Sequence, residues 1–347
     1  MLHKVFVGLS GGVDSAVSAA LLKRQGLDVT GVFIKIWQPE FLECTWKEDR
    51  LDAMRVCAAL DIPFRELDLS SEYKKEVVET MVADYRRGVT PNPDVLCNRS
   101  IKFGAFAEWA KAEGAEAIAT GHYAQKKDAV GHYELMRAVD ASKDQSYFLY
   151  RLKQTDLARA IFPIGGLLKS EVRAEAKRLA LPVAHKPDSQ GLCFVGDVSM
   201  RDFLARYVAV APGDVIDESG KVIGEHEGAA LYTLGQRHGF TLSAASGTPQ
   251  YVTGTDIEKN IVRVSARRED GARKSVLLMD TSWVYREPAL DRAYLAQARY
   301  HEQPVSVTLS KEGETLRATF NSPHIASPGQ SLVLYEGDSC LGGGVIV

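Results

Sequence analysis

The sequence predicts an α/β protein in which an N-terminal doubly wound parallel sheet is followed by two small β-rich domains of barrel type. Three observations carry this expectation. Strand-like and helix-like runs alternate through the first half of the chain. A glycine turn, Ser10-Gly11-Gly12-Val13-Asp14-Ser15, falls between the first strand and the first helix. Beyond about residue 205, helical periodicity gives way to short β-like runs set off by Gly and Pro turns.

Lys4–Leu9 reads as a buried strand, and the helix after it places Val13, Val17, Ala20 and Leu21 on one face, with Gly26 positioned to end it. Val29–Ile36 is a β-branched second strand, Leu51–Leu60 a helix and Phe64–Leu69 a third strand. Tyr73, Val77, Met81 and Tyr85 recur every four residues and predict an amphipathic helix over Glu72–Arg87. A proline-bearing turn precedes a helix through Phe103, Phe106 and Trp109, and Ala117–Thr120 forms a short strand. This rhythm implies a parallel sheet with helices on both faces. The turn changes at Pro212-Gly213 and Asp217–Gly220 lead to a domain division of 1–204, 205–284 and 285–347, with Val276–Val284 closing the middle domain.

The chain has 347 residues, 45% hydrophobic and 25% charged, enough to bury a core without disulfides. No apolar run approaches the roughly 18 residues that cross a bilayer. The N-terminus runs directly into the first strand, which leaves no room for a signal peptide and points to the cytoplasm. The net charge of −3 gives no chain-wide footprint for nucleic acid. Five cysteines, Cys44, Cys57, Cys97, Cys193 and Cys340, are scattered with no C-x-x-C pair, so neither a disulfide framework nor a metal centre is expected.

The glycine turn is the strongest local signal. Glycines let a backbone approach a phosphate closely, and a helix N-terminus offers unpaired amides and partial positive charge. The lysine of the G-x-x-x-x-G-K-[ST] loop is missing, which argues against a kinase or GTPase. Gly8-Leu9-Ser10-Gly11-Gly12 fits the G-x-S-x-G nucleophile elbow, but that elbow normally follows several strands and here follows the first. A pyrophosphate site is the preferred reading, with a plain tight turn as its rival.

Cys97 ends the segment Thr90-Pro91-Asn92-Pro93-Asp94-Val95-Leu96-Cys97. Two prolines argue for a rigid loop ahead of a helix, and a thiol there, with Arg99 and Lys102 nearby, should carry more thiolate. Asp94, three residues earlier, is placed to act as acid or base on the same centre. Cys193 has apolar flanks that also suit a buried strand cysteine, and Cys57 shares a helical face with Met54 and Leu60 and reads as core.

Taken together these segments resemble a known family. The glycine turn is similar to the pyrophosphate loop of the PP-loop ATP pyrophosphatases, a Rossmann-like superfamily. Asn92-Pro93-Asp94-x-x-Cys97-Asn98, Gly121-His122-Tyr123, Lys143–Tyr147 and Asp188-Ser189-Gln190-Gly191-x-Cys193-Phe194 resemble the bacterial tRNA-specific 2-thiouridylases. So do Tyr232–Arg237, Ala298-Arg299-Tyr300, Ser327–Gln330 and Leu341–Gly344, in family order across nearly the whole chain.

The resemblance implies ATP-dependent conversion of a tRNA wobble uridine to 2-thiouridine, through adenylation of the C2 oxygen and release of AMP and pyrophosphate. It assigns ATP, with Mg²⁺, to Gly8, Leu9, Ser10, Gly11, Gly12, Val13, Asp14, Ser15, Ile34 and Gly121. It makes Cys193 the persulfide carrier, Cys97 its partner thiol and Asp94 the acid or base. Asn92, Pro93 and Asp94 would lie against the base, and His122, Lys143, Asp144, Gln145, Arg299, Tyr300 and Gln330 would contact tRNA. A donor protein, a cysteine desulfurase or sulfur-relay carrier, is implied as the sulfur source. The rival from the same superfamily is an adenylating enzyme acting on a small metabolite. Six Lys/Arg against Glu269 and Asp270 between Lys259 and Lys274 form a local basic run that suits phosphates or simply a solvated face.

Overall fold

The computed structural model describes residues 3–41, 46–188, 200–208, 210–243 and 247–347. Its first sheet is made of β1 (Lys4–Leu9), β2 (Asp28–Lys35), β3 (Phe64–Asp68), β4 (Ala117–Ala119) and, after an intervening hairpin, β7 (Ala160–Ile161). The order is β3-β2-β1-β4-β7 and every pairing is parallel. The order in which strands are added therefore reverses between β1 and β4, and such a switch point leaves a crevice at the carboxyl ends of those two strands.

Helices α1 (Val13–Arg24) and α2 (Trp46–Ala59) cover one face through Val17, Ala53, Val56 and Cys57, joined by the helix Lys169–Arg178 through Val172 and Ala176. Gly26 ends the first helix with φ +83°, as its position in the sequence predicts. The opposite face carries a helical run from Ser70 to Arg86 and a second from Pro93 to Ala112, each with a π-helical middle. Tyr73, Val77 and Met81 are buried there, as the four-residue spacing requires.

One expectation about this region is overturned. Pro91 and Pro93 do not keep Cys97 in a loop. Pro93 stands in the first helical turn, where a missing N–H costs nothing, and Asn92 caps the helix by accepting from the Val95 amide at 3.4 Å. Cys97 is thus inside the helix and buried against the core.

The second sheet contains β8 (Gly213–Ile216), β9 (Val222–His226), β10 (Thr241–Leu242), β11 (Tyr251–Asp256) and β12 (Ile261–Ser265). The third contains β13 (Arg273–Trp283), β14 (Ala293–Gln297), β15 (Val305–Glu312), β16 (Thr315–His324), β17 (Ser331–Glu336) and β18 (Ser339–Ile346), and a β13–β18 pairing closes it into an antiparallel barrel. β13 pairs with β16 and β18, so Val276–Val284 belongs to the C-terminal barrel and not to the middle domain. Short strands with Gly and Pro turns on both sides of that boundary gave the sequence no way to tell which partner each would take.

The hairpin β5 (Gln125–Ala129) and β6 (His132–Met136) leaves the first domain and extends the third sheet, with Leu135 opposite Cys340 and Met136 opposite Ser339. One continuous apolar cluster accordingly runs from Phe6 and Phe106 through Leu135, Tyr147 and Tyr150 to Val333, Tyr335 and Cys340. Because Leu135 is fully buried at this junction, Leu135→Ala is expected to lower unfolding stability by roughly 2–5 kcal/mol. Urea unfolding followed by tryptophan fluorescence checks this; a loss below about 1 kcal/mol would mean the hairpin does not share that core.

Candidate functional site

The glycine turn forms the floor of the crevice. Gly12 precedes α1 in extended conformation with no side-chain cap, so the first amides of the helix are left for an anion. Ser15 Oγ accepts from the Ser10 amide and donates to the Gly12 carbonyl, both at 3.2 Å, which stiffens the turn. Gly11 has φ +73°, and a Cβ there would lie 2.5 Å from the Asp49 carbonyl oxygen. A Cβ on Gly121 would lie 2.7 Å from the Ser15 amide nitrogen. A Cβ on Gly8 would lie 3.6 Å from Phe106 and 3.7 Å from Ile34, which form an apolar surface suited to a flat ring. The structure thus gathers Gly8–Ser15, Ile34 and Gly121 at one place.

A charged cluster borders the turn that the sequence reading did not single out. Lys169 Nζ lies 2.7 Å from Asp14 Oδ1 and 2.9 Å from Asp188 Oδ1, and Tyr123 donates to Asp14 at 2.9 Å. Lys143 and Arg173 also pair with Asp188. Burial works against the charge on Asp188, but hydrogen bonds from Lys169 and Lys143 outweigh it and hold the carboxyl at about 2. The spacing of Lys169 and Arg173, four residues apart in the first turns of a helix, was the available signal.

The helix that starts at Pro93 carries Asp94, Cys97 and Lys102 toward the end of β4. Burial raises the pKa of Asp94, partly offset by the charge of Lys102. His122 is buried, with Nδ1 2.8 Å from Thr120 Oγ1 and Nε2 3.3 Å from Lys102 Nζ. Burial pushes its pKa well below the usual value, and Lys102 acts in the same direction. Phe103 and Phe162 flank the ring. Asp94 and Gly121-His122 therefore share one edge of the crevice with the glycine turn. Cys193 and Cys44 lie outside the described residues. Cys57 and Cys340 are buried in apolar cores, and burial pushes their thiols up to about 11 and 12.

The residues expected to face RNA differ among themselves. Lys143, Gln145, Arg299, Tyr300 and Gln330 are half-buried. Arg299 donates to the Leu234 carbonyl and to Ser327 Oγ, and Tyr300 packs against Phe148 and His301. Gln330 Nε2 donates to the carbonyls of Thr90 and Pro91, both at 2.9 Å, directly before Asn92. Asp144 is buried, and its carboxylate accepts from Ala138 N, Ser146 N, Ser146 Oγ and Arg137 Nη1. That side chain is committed to shaping the loop that presents Lys143 and Gln145. In the basic run, Lys259 sits near Asp256 and Arg267 near Asp270, so part of its charge is already answered.

Residues 3–197 match the family described as tRNA methyl transferase HUP domain, residues 201–266 the tRNA methyl transferase PRC-barrel domain, and residues 273–346 the aminomethyltransferase beta-barrel domain. Full-length similarity is found to tRNA-specific 2-thiouridylase MnmA of Chromobacterium violaceum, 45% identical over 99% of this chain and 92% of that protein. The protein of the same name from Thiobacillus denitrificans is 45% identical over 100% of both chains. Among solved structures, the U34-tRNA thiolase NcsA from Methanococcus maripaludis is 20% identical over 59% of this chain and 63% of that one, with a TM-score of 0.37.

The four hydrogen bonds on Asp144 predict that Asp144→Ala leaves Arg137 without its carboxylate in a half-buried site, with only the neutral Gln297 Oε1 and the Tyr335 ring beside it. The expected loss is about 3–5 kcal/mol of unfolding stability. Chemical denaturation reads it, and a variant as stable as the parent would show that the carboxylate does not hold this loop.

Proposed function

The chain belongs to the tRNA-specific 2-thiouridylase family, and from that premise we propose that it converts the wobble uridine of tRNA to 2-thiouridine at the expense of ATP. The observation that carries the reading is the meeting of the glycine turn with the Asp94–Cys97 helix across Gly121-His122. The glycine turn and the helical run that bears the thiol are neighbours there.

The chemistry explains why both are needed. The C2 carbonyl of uridine is a weak electrophile with a poor leaving oxygen. Attack of O2 on the α-phosphorus of ATP forms the O–P bond and expels pyrophosphate toward the uncapped amides at the start of α1. Close packing of Gly11 on the Asp49 backbone and of Gly121 on the Ser15 amide fixes the shape of that turn. Mg²⁺ supplies charge neutralisation on the phosphates. Mg²⁺ entering with ATP would take phosphate oxygens and water as its main ligands. Adenylation of O2 releases the N3 proton, and Asp94 is the base that accepts it, its affinity for the proton raised by burial.

Sulfur arrives on Cys193 as a persulfide supplied by a donor protein, a cysteine desulfurase or a relay carrier. In one route Cys97 thiolate attacks Cys193 Sγ and frees hydrosulfide, which adds to C2 and displaces AMP. In the other the persulfide adds to C2, AMP departs, and Cys97 then attacks Cys193 Sγ to release the thiolated base. Both leave a Cys97–Cys193 disulfide that an external thiol reduces. The base leaves its anticodon stack to enter, and Asn92, Pro93 and Asp94 receive it. Lys143, Gln145, Arg299, Tyr300 and Gln330 lie against the RNA, in the cytoplasm where tRNA is handled. No described helix is long and apolar enough to cross a membrane.

Mass analysis of tRNA incubated with the protein, ATP, Mg²⁺ and a persulfide source tests the reading. The expected product carries one sulfur in place of oxygen at the wobble uridine, and omission of ATP abolishes it. Cys97→Ser and Cys193→Ser are each expected to give no turnover, and retained turnover in either would remove the two-thiol mechanism. AMP formation with a small acceptor and no tRNA would favour the alternative, an adenylating enzyme of the superfamily that acts on a small metabolite.

A pH profile tests Asp94. Below its raised pKa the carboxyl is protonated and cannot take the N3 proton, so kcat/KM falls about tenfold per pH unit on an acid limb above the ordinary carboxylate value. Asp94→Asn is expected to remove that limb along with most of the rate, whereas an unchanged limb would assign it to another group.

A further inference from the structure

We propose that Lys102 is a catalytic residue that donates a hydrogen bond to the oxygen joining uridine C2 to the α-phosphorus. The inference rests on the thiolation reading above and adds to it a group that the family resemblance does not assign.

Lys102 stands apart from the other lysines around the crevice. Lys143 and Lys169 are held by Asp188, Lys169 also by Asp14, and Lys186 by Asp49 and Asp52. Among the described residues no carboxylate lies within 4.0 Å of Lys102 Nζ. Its near neighbour is instead His122, at 3.3 Å. An ammonium only donates, so Nε2 must accept from it; the ring proton then sits on Nδ1 and is donated to Thr120 Oγ1 at 2.8 Å. Histidine so held is neutral. It aims the ammonium without neutralising it.

Asp94 does not pair with it either, its carboxylate lying more than 4.0 Å from Lys102 Nζ. A half-buried cation beside a neutral imidazole, with no carboxylate in contact among the described residues, lacks the anion that would compensate its desolvation. The substrate supplies that anion at this place. Gly121 packs on the Ser15 amide, so His122 begins one residue from the turn that takes the departing pyrophosphate. Asp94 lies in the segment that receives the base. The α-phosphate joins nucleotide to base and must pass between the two, where Lys102 reaches.

Both steps place negative charge on that group. In the first, O2 bonds to the α-phosphorus, the bond to the β-phosphate oxygen breaks, and pyrophosphate leaves with the electron pair while the N3 proton passes to Asp94. In the second, sulfur bonds to C2, the C2–O bond breaks, and AMP leaves with the pair on the oxygen that Lys102 contacts. Lys102 keeps its proton throughout and lowers the cost of that charge.

The test compares purified wild-type protein with Lys102→Met, Lys102→Gln and Lys102→Arg in single-turnover thiolation of tRNA, alongside melting temperature and separate binding of ATP and of tRNA. The expected result is a loss of roughly hundredfold in rate for Met and Gln, binding of ATP and tRNA within about threefold of wild type, and recovery of at least a tenth of the rate by Arg. Gln, which preserves a donor and most of the stem, decides the matter should the Met variant not fold. A folded Met or Gln variant that thiolates within about threefold of wild type, or whose whole loss is matched by weaker tRNA binding, overturns the inference while leaving the thiolation reading intact. Wild-type protein that forms no 2-thiouridine overturns that reading and this inference with it.

Discussion

The site depends on one backbone contact, that of Gly121 with the first turn of α1. With a Cβ 2.7 Å from the Ser15 amide, no larger residue fits at Gly121 without moving the loop or the strand end. That contact brings the carboxyl ends of β1 and β4 together at the reversal point of the sheet, so the segment after β4 starts against the phosphate turn. His122 then meets Lys102 on the Pro93–Ala112 helical run, which also carries Asp94 and Cys97. The glycine turn and the helical run that bears Asp94 and Cys97 are neighbours because two glycine-bearing turns touch.

The other domains act on the same place from outside. The backbone just before Asn92 is held from two sides: Thr90 Oγ1 lies 2.8 Å from Thr233 Oγ1 of the middle domain, and the Thr90 amide donates to the Pro328 carbonyl of the barrel at 3.0 Å. Gln330 adds two hydrogen bonds to the Thr90 and Pro91 carbonyls. The hairpin β5–β6 ties the first domain to the barrel a second time. An RNA that moved the barrel would therefore pull on the start of the helix that bears Asp94 and Cys97, which gives the β-rich half a reason to be there beyond added surface.

Local chemistry was legible in the sequence; partners distant along the chain were not. The glycine turn, Gly26 and the Tyr73–Met81 stripe are short-range features whose physics is complete within a few residues, and the structure has them where the pattern puts them. Pro93 misled because proline reads equally as a helix breaker and as a helix starter, and only the Asn92 cap decides. Asp144, which the resemblance places on tRNA, has its carboxylate enclosed by Arg137 and Ser146, an arrangement the motif alone does not reveal. Lys169 reaches Asp14 across 155 positions and Lys102 reaches His122 across 20, separations that no local pattern encodes. The net charge of −3 likewise hid the lysines and arginines gathered on one crevice.

The central claim is that the uridine C2 oxygen itself is adenylated in this crevice and leaves as part of AMP. It is tested most directly with tRNA carrying heavy oxygen at C2 of the wobble uridine, thiolated by the protein in the presence of ATP and a persulfide source. Mass spectrometry of the nucleotide product should find the heavy oxygen in the phosphate of AMP, one atom for each 2-thiouridine formed. AMP free of the label, alongside thiolated tRNA, would contradict the account.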